Sequence, residues 1–181
     1  MLSELGINGV RIDRLAERLE LSKGSFYHHF AGMAGYRLAL LDHFERRFTT
    51  CYIDAVEAEV WPSSRAKLDQ LMRLVSADVS AAGDVGLEIG MRAWAAVDDD
   101  ARATLERVDG RRIDYLAGLL ADLNPGSGDS LLLSRALYLT LVGARHVVPP
   151  VPLAEVADIF DRLIGVMEND TSVRPGRRRR A

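Results

Sequence analysis

The sequence predicts an all-α protein, with a small N-terminal helix-turn-helix head and a larger C-terminal antiparallel helical bundle that dimerises. Three observations predict it. Apolar residues recur at three- and four-residue spacing along most of the chain. The breaks in that pattern fall on the clusters Trp61-Pro62-Ser63-Ser64, Ala82-Gly83-Asp84, Asn124-Pro125-Gly126-Ser127-Gly128 and Val148-Pro149-Pro150-Val151-Pro152. The alternating apolar and polar runs that mark strands are almost absent.

Ile12, Leu15, Ala16 and Leu19 mark a first short amphipathic helix. Ser22 is placed to cap the next, which supplies Phe26 and Phe30 to the same core. Only Glu20 to Ser22 separate the two helices. A link that short does not allow antiparallel stacking and suits the steep crossing of a helix-turn-helix. With Phe26 and Phe30 turned inward, Lys23, Gly24, Ser25, Tyr27, His28 and His29 face outward. That set holds a cation, a hydroxyl, a phenol and two imidazoles, with no carboxylate among them. Such groups donate hydrogen bonds to phosphate oxygens and base edges. Gly24 brings bare backbone, which permits a close approach.

Longer helices follow. Leu41, Phe44, Phe48 and Tyr52 form one apolar stripe, and Leu68, Leu71, Met72, Val75 and Val79 a second. Leu153, Val156, Ala157, Phe160, Leu163, Ile164 and Met167 form a third. The helix from about Asp129 to Val147 differs, because leucines, alanines and Val142 surround nearly its whole circumference. A helix apolar all round is normally buried all round. In a domain this small, a second subunit would cover it, with Leu133, Leu137, Leu141, Phe160, Leu163 and Met167 as the expected dimer interface. A central core helix in a monomer is the other reading.

The 181 residues, 48% hydrophobic and 27% charged, suit a globular chain able to bury a real core. The net charge of −3 is unevenly spread. Residues 1–48, the expected head, carry a net +1, and residues 49–170, the expected ligand-binding and dimerisation domain, carry −9. Residues 171–181 carry +5 and read as a disordered basic tail, ending in Arg177 to Arg180. A near-neutral head on an acidic body would meet phosphate with one face only. No apolar run approaches the roughly 18–20 residues of a membrane span, and no signal-peptide pattern opens the chain. The lone Cys51 excludes an intrachain disulfide and fits a reducing cytoplasm.

The stretch Arg14-Leu15-Ala16-Glu17-Arg18-Leu19-Glu20-Leu21-Ser22-Lys23-Gly24-Ser25-Phe26-Tyr27-His28-His29-Phe30 resembles the helix-turn-helix of the tetracycline-repressor (TetR) family. The resemblance lies in an apolar-Ala step followed by a Ser-x-x-x-aromatic-Tyr-x-His-Phe third helix. It implies a cytoplasmic homodimer that binds a palindromic operator in double-stranded DNA, each third helix entering a major groove. It places Ser22, Lys23, Ser25, Tyr27 and His28 where the family contacts DNA, and His29 where it holds a phosphate. It also implies repression relieved by a small-molecule effector, which the sequence does not identify. Met91, Trp94, Tyr115, Leu119 and Tyr138 are large enough to line the effector's pocket, or to be core.

Three departures from the family pattern stand out. Only Met1-Leu2-Ser3-Glu4-Leu5 precedes Gly6, so most of the family's first helix is missing from this sequence; if Met1 is the true start, the head is expected to lack apolar cover. Glu20 stands in the turn where the family tends to place glycine. The fourth helix opens on Ala31-Gly32-Met33-Ala34-Gly35, without a capping residue and phosphate-binding Lys; Arg37 could replace that contact, but a solvated face is the expected place for it.

An enzyme is not expected. His43 and Cys51, eight residues apart on one helix, would lie roughly 12 Å apart, too far for a thiolate–imidazole pair. Adjacent His28 and His29 point about 100° apart and cannot chelate one metal. Asp98-Asp99-Asp100 precede a helix whose N-terminus they favour electrostatically. No phosphate loop, metal cluster or cofactor motif is present. The rival reading is a ligand-binding helical dimer whose shortened head no longer binds DNA specifically.

Overall fold

The computed structural model describes residues 1–80, 84–125 and 128–170, excepting the side chains of residues 77–80, 84, 85, 167, 169 and 170. Every regular element among the described residues is helical. The head holds α1 (Leu2–Gly9), α2 (Ile12–Arg18) and α3 (Lys23–His29). Helix α4 (Gly32–Glu45) continues through a π-helical turn (Arg46–Thr50) into α5 (Cys51–Glu57). Then come α6 (Ser64–Ser80), α7 (Asp84–Ala95), α8 (Asp99–Leu123), α9 (Ser130–His146) and α10 (Leu153–Asp170).

The boundaries fall where local chemistry puts them. Ser63 Oγ accepts from the Ala66 N–H at 3.2 Å and opens α6. Asp98 accepts from the Ala101 N–H at 3.0 Å and caps α8. That hydrogen bond, more than the indole of Trp94 or the charge of Arg37, holds the Asp98 carboxyl below its usual range. Arg37 is therefore half-buried beside Asp98 and not on a solvated face. Gly83, Gly126, Ser127 and the Arg-rich tail lie outside the described residues.

The described chain divides into two compact units. The first joins Met1–Ala55 to Ala77–Gly110, and the second joins Val56–Ser76 to the chain from Arg111 onward. The packing units therefore cut the chain differently from a division at residue 48, which falls inside the π-helical turn.

In the first unit, Leu2, Val10, Leu15, Phe26, Leu41 and Phe44 share a core with Met91, Trp94, Leu105 and Val108. Glu88 is buried there and meets Arg92 at 2.8 Å, and Arg92 reaches Asp109 at 2.9 Å. In the second unit, Leu68, Leu116, Leu119, Leu120, Leu137, Tyr138, Val156, Phe160 and Ile164 pack together. Around them Arg112 donates to the Tyr138 hydroxyl at 3.0 Å, and Glu57 accepts from Tyr115 at 2.7 Å and Lys67 at 2.6 Å. Burial, with the Glu57 hydrogen bond, raises the Tyr115 phenol above its usual range.

The residues expected at a ligand pocket are thus divided between cores: Met91 and Trp94 in the first, Tyr115, Leu119 and Tyr138 in or against the second. Of those expected at a dimer interface, Leu137 and Phe160 are turned into the second unit's own core. Leu133, Leu141 and Leu163 are half-buried against that core, and the Met167 side chain lies outside the description. Helix α9 instead exposes Leu131, Leu132 and Leu139, and α10 exposes Val166. Among the described residues no helix is long and apolar enough to cross a membrane.

Candidate nucleic-acid interface

Two short helices build the site. In α2, Leu15 is buried and Ile12 half-buried, as the spacing predicts. Leu19 is not inward: the helix ends at Arg18, so Leu19 leaves the apolar face and is largely exposed. It lines an open cavity of about 360 Å³ with Leu2, Val10, Leu15, Tyr36, Leu40 and Leu87.

The turn between the helices is tight. The Leu21 N–H donates to the Ala16 carbonyl at 2.9 Å, and the Glu20 N–H to that of Glu17 at 3.2 Å. Closing it needs a left-handed residue, and Glu20 adopts φ 53°. A residue with a Cβ there costs roughly 1–2 kcal/mol. The departure from glycine noted in the sequence is therefore one the chain tolerates with strain.

Helix α3 opens on Ser22, whose Oγ accepts from the Ser25 N–H at 3.0 Å. Phe26 fixes its rotation: it is buried, with ring centroids 5.2 Å from Phe30 and 5.6 Å from Tyr36. Burial raises the Tyr36 phenol above its usual range. With Phe26 inward, Lys23, Gly24, Tyr27, His28 and His29 are exposed and Ser25 is half-buried. The structure thus brings the predicted donors onto one short outer surface. An added Cβ at Gly24 would meet only the Ser22 Oγ, at 3.6 Å, so nothing in the protein itself demands glycine there.

Two ion pairs around this surface had no signal in the sequence. The Lys23 ammonium pairs with Asp13 of α2, which holds it above its usual range by hydrogen bond and charge. Arg18 clasps Glu4 of α1 with two hydrogen bonds, at 2.6 and 3.1 Å, and lowers its carboxyl to about 2. Partners ten and fourteen residues apart, on different helices, follow no helical period. Among the described residues no group of three or more His, Cys, Asp or Glu is placed to hold a metal ion.

The family model for bacterial regulatory proteins of the tetR family matches residues 1–40, which span α1 to α3 and the start of α4. A similar protein is the "Transcriptional regulator AcuR" of Cereibacter sphaeroides, 28% identical over 113 residues. The match covers 58% of this chain and 48% of that relative, so the chain spans about half the relative's length. No solved structure matches. A helix-turn-helix capped at Ser22 and anchored by Phe26, within an all-helical chain, agrees with both likenesses: the N-terminal segment is similar to the DNA-binding part of the tetR family of bacterial regulatory proteins.

Proposed function

We propose that the protein is a DNA-binding transcriptional regulator that acts in the cytoplasm as a homodimer on a palindromic operator, without catalytic function. The observation that carries this reading is the outer surface of α3. Lys23, Tyr27, His28 and His29 stand exposed on a helix whose rotation Phe26 fixes, and the helix itself carries no carboxylate. Ser22, Lys23, Ser25, Tyr27 and His28 are assigned to operator contacts, His29 to a phosphate, and Gly24 to close backbone approach. Lys23 would exchange Asp13 for a phosphate on binding.

The second copy would dock on the leucines that α9 leaves exposed, Leu132 and Leu139, which share a face seven residues apart. Half-buried Leu133, Leu141 and Leu163 would flank them. In the dimer, the two α3 helices would sit about 34–36 Å apart to enter successive major grooves.

Repression relieved by a small molecule completes the proposal. The second unit offers a cleft of about 540 Å³, within the size range of ligand sites. Leu68, Met72, Leu116, Phe160 and Ile164 floor it, and Arg65, bridged to Asp69 and Asp161, stands at its edge. A ligand there would act only by binding the DNA-competent and incompetent states unequally.

Fluorescence anisotropy tests the reading, using a labelled duplex of the intergenic sequence beside this gene and a scrambled control. Affinity that is specific and falls steeply across a salt series is expected. Equal affinity for both duplexes, or none at low salt, would replace the proposal with a helical ligand-binding dimer whose head is inactive.

A further inference from the structure

The first five residues of the chain are gripped from two sides. On one side lies α7. A Cβ on Gly86 would sit 2.9 Å from the Ser3 Cβ, and one on Gly90 would sit 3.0 Å from the Leu2 carbonyl oxygen and 3.1 Å from its Cγ. These distances leave no room for any side chain, so α1 lies directly on the α7 backbone at two points one turn apart. On the other side lies α2, whose Arg18 holds Glu4 with paired hydrogen bonds. Immediately after the gripped segment, Gly6 adopts φ 64° and ψ −176° and breaks α1 in two. The gripped part therefore ends at a joint, Gly6.

We infer that the Met1–Leu5 segment positions α2 and α3, seated on α7 by Gly86 and Gly90 and tied to the last turn of α2 by Glu4. It makes a contiguous path from α7 to the end of α2, from which only the turn at Leu19–Ser22 leads to α3. A displacement of α7 along its axis carries Leu2 and Ser3 with it, because the glycine contacts are backbone-close and cannot be taken up by side-chain rotation. Glu4 then draws Arg18, and Gly6 absorbs the change before the rest of α1. These residues touch no DNA; they act through α2 and α3. The path deepens the DNA-binding reading, and only its effect on affinity rests on that reading.

Amide hydrogen exchange on the full chain tests the path without DNA. Gly86→Ala is expected to speed exchange in α2 and α3 by about tenfold, within the range by which positions away from both sites modulate coupling. Adding Ser3→Gly removes the atom that the new Cβ strikes and should restore protection. Gly110→Ala, where a Cβ meets nothing within 4 Å, should leave exchange in α2 and α3 unchanged. Affinity for the intergenic duplex should fall and recover in the same order. Exchange that responds in a protein binding no DNA would sink the regulator reading and leave the positioning path standing. A folded Gly86→Ala chain with unchanged exchange in α2 and α3, or one that Ser3→Gly fails to restore, would overturn the path. Should Gly86→Ala not fold, Glu4→Gln carries the test from the exposed side. Faster exchange in α2 and α3 with α7 unchanged would support the path, and no change would overturn it.

Discussion

Helices α3 and α9 depart from the usual inside–outside division in opposite ways. The seven residues of α3 bury one side chain, Phe26, and present a phenol, an ammonium and two imidazoles. The 17 residues of α9 bury Ser134, Leu137, Tyr138 and Ala144, yet leave Leu132 and Leu139 about two-thirds exposed, at 70% and 68%. A short helix that folding anchors at one point has its outer surface available for a polar partner. A long helix that leaves two large leucines on one outer face offers an apolar partner a place to dock. On the proposed reading, the difference assigns the two helices to two unlike partners, DNA for α3 and a second copy for α9.

The comparison breaks most readily inside α9. Leu137→Ala should cost about 3 kcal/mol in a urea melt followed by circular dichroism, because Leu137 is fully buried. At a protein concentration low enough to dissociate the dimer, Leu139→Lys should leave the melt within about 0.5 kcal/mol. By light scattering, it should weaken the dimer by about 2 kcal/mol, the scale of an interface hot spot. Equal melting costs at the two positions would erase the distinction between the helix's inner and outer leucines.

On α3 the expected effects are smaller. Tyr27→Ala should keep the melt within about 0.5 kcal/mol of the parent. It should also weaken binding to the intergenic duplex roughly tenfold. A large loss of stability instead would make Tyr27 part of the head's packing and remove it from the outer surface. Smallest of all, Glu20→Gly should raise stability by about 1 kcal/mol by relieving the left-handed residue.

Much of the head was legible because its signals are local. Ser22 as a cap, Phe26 as the anchor and Leu15 as core each follow from spacing within one or two turns. Leu19 misled because period continues on paper after a helix has ended. The choice of Leu137 over Leu139 as the inward residue was not legible, since a helix apolar all round gives no phase. Nor were Gly86 and Gly90 beneath Leu2 and Ser3: glycine marks where backbones touch, but not which distant segment does the touching. The pairs Lys23–Asp13 and Arg18–Glu4 are likewise products of how helices cross.

The π-helical turn at Arg46–Thr50 has a consequence for insertions and deletions in the gene. A π turn closes with one more residue than an α turn, so the helix holds one residue of slack there. Deleting a single codon in this stretch would leave enough chain to run on as uninterrupted α-helix, with the side chains downstream kept on nearly the same faces, whereas a deletion elsewhere in the helix would turn them by about 100°. A one-residue deletion in this long helix therefore has a place where it is taken up without turning the helix face.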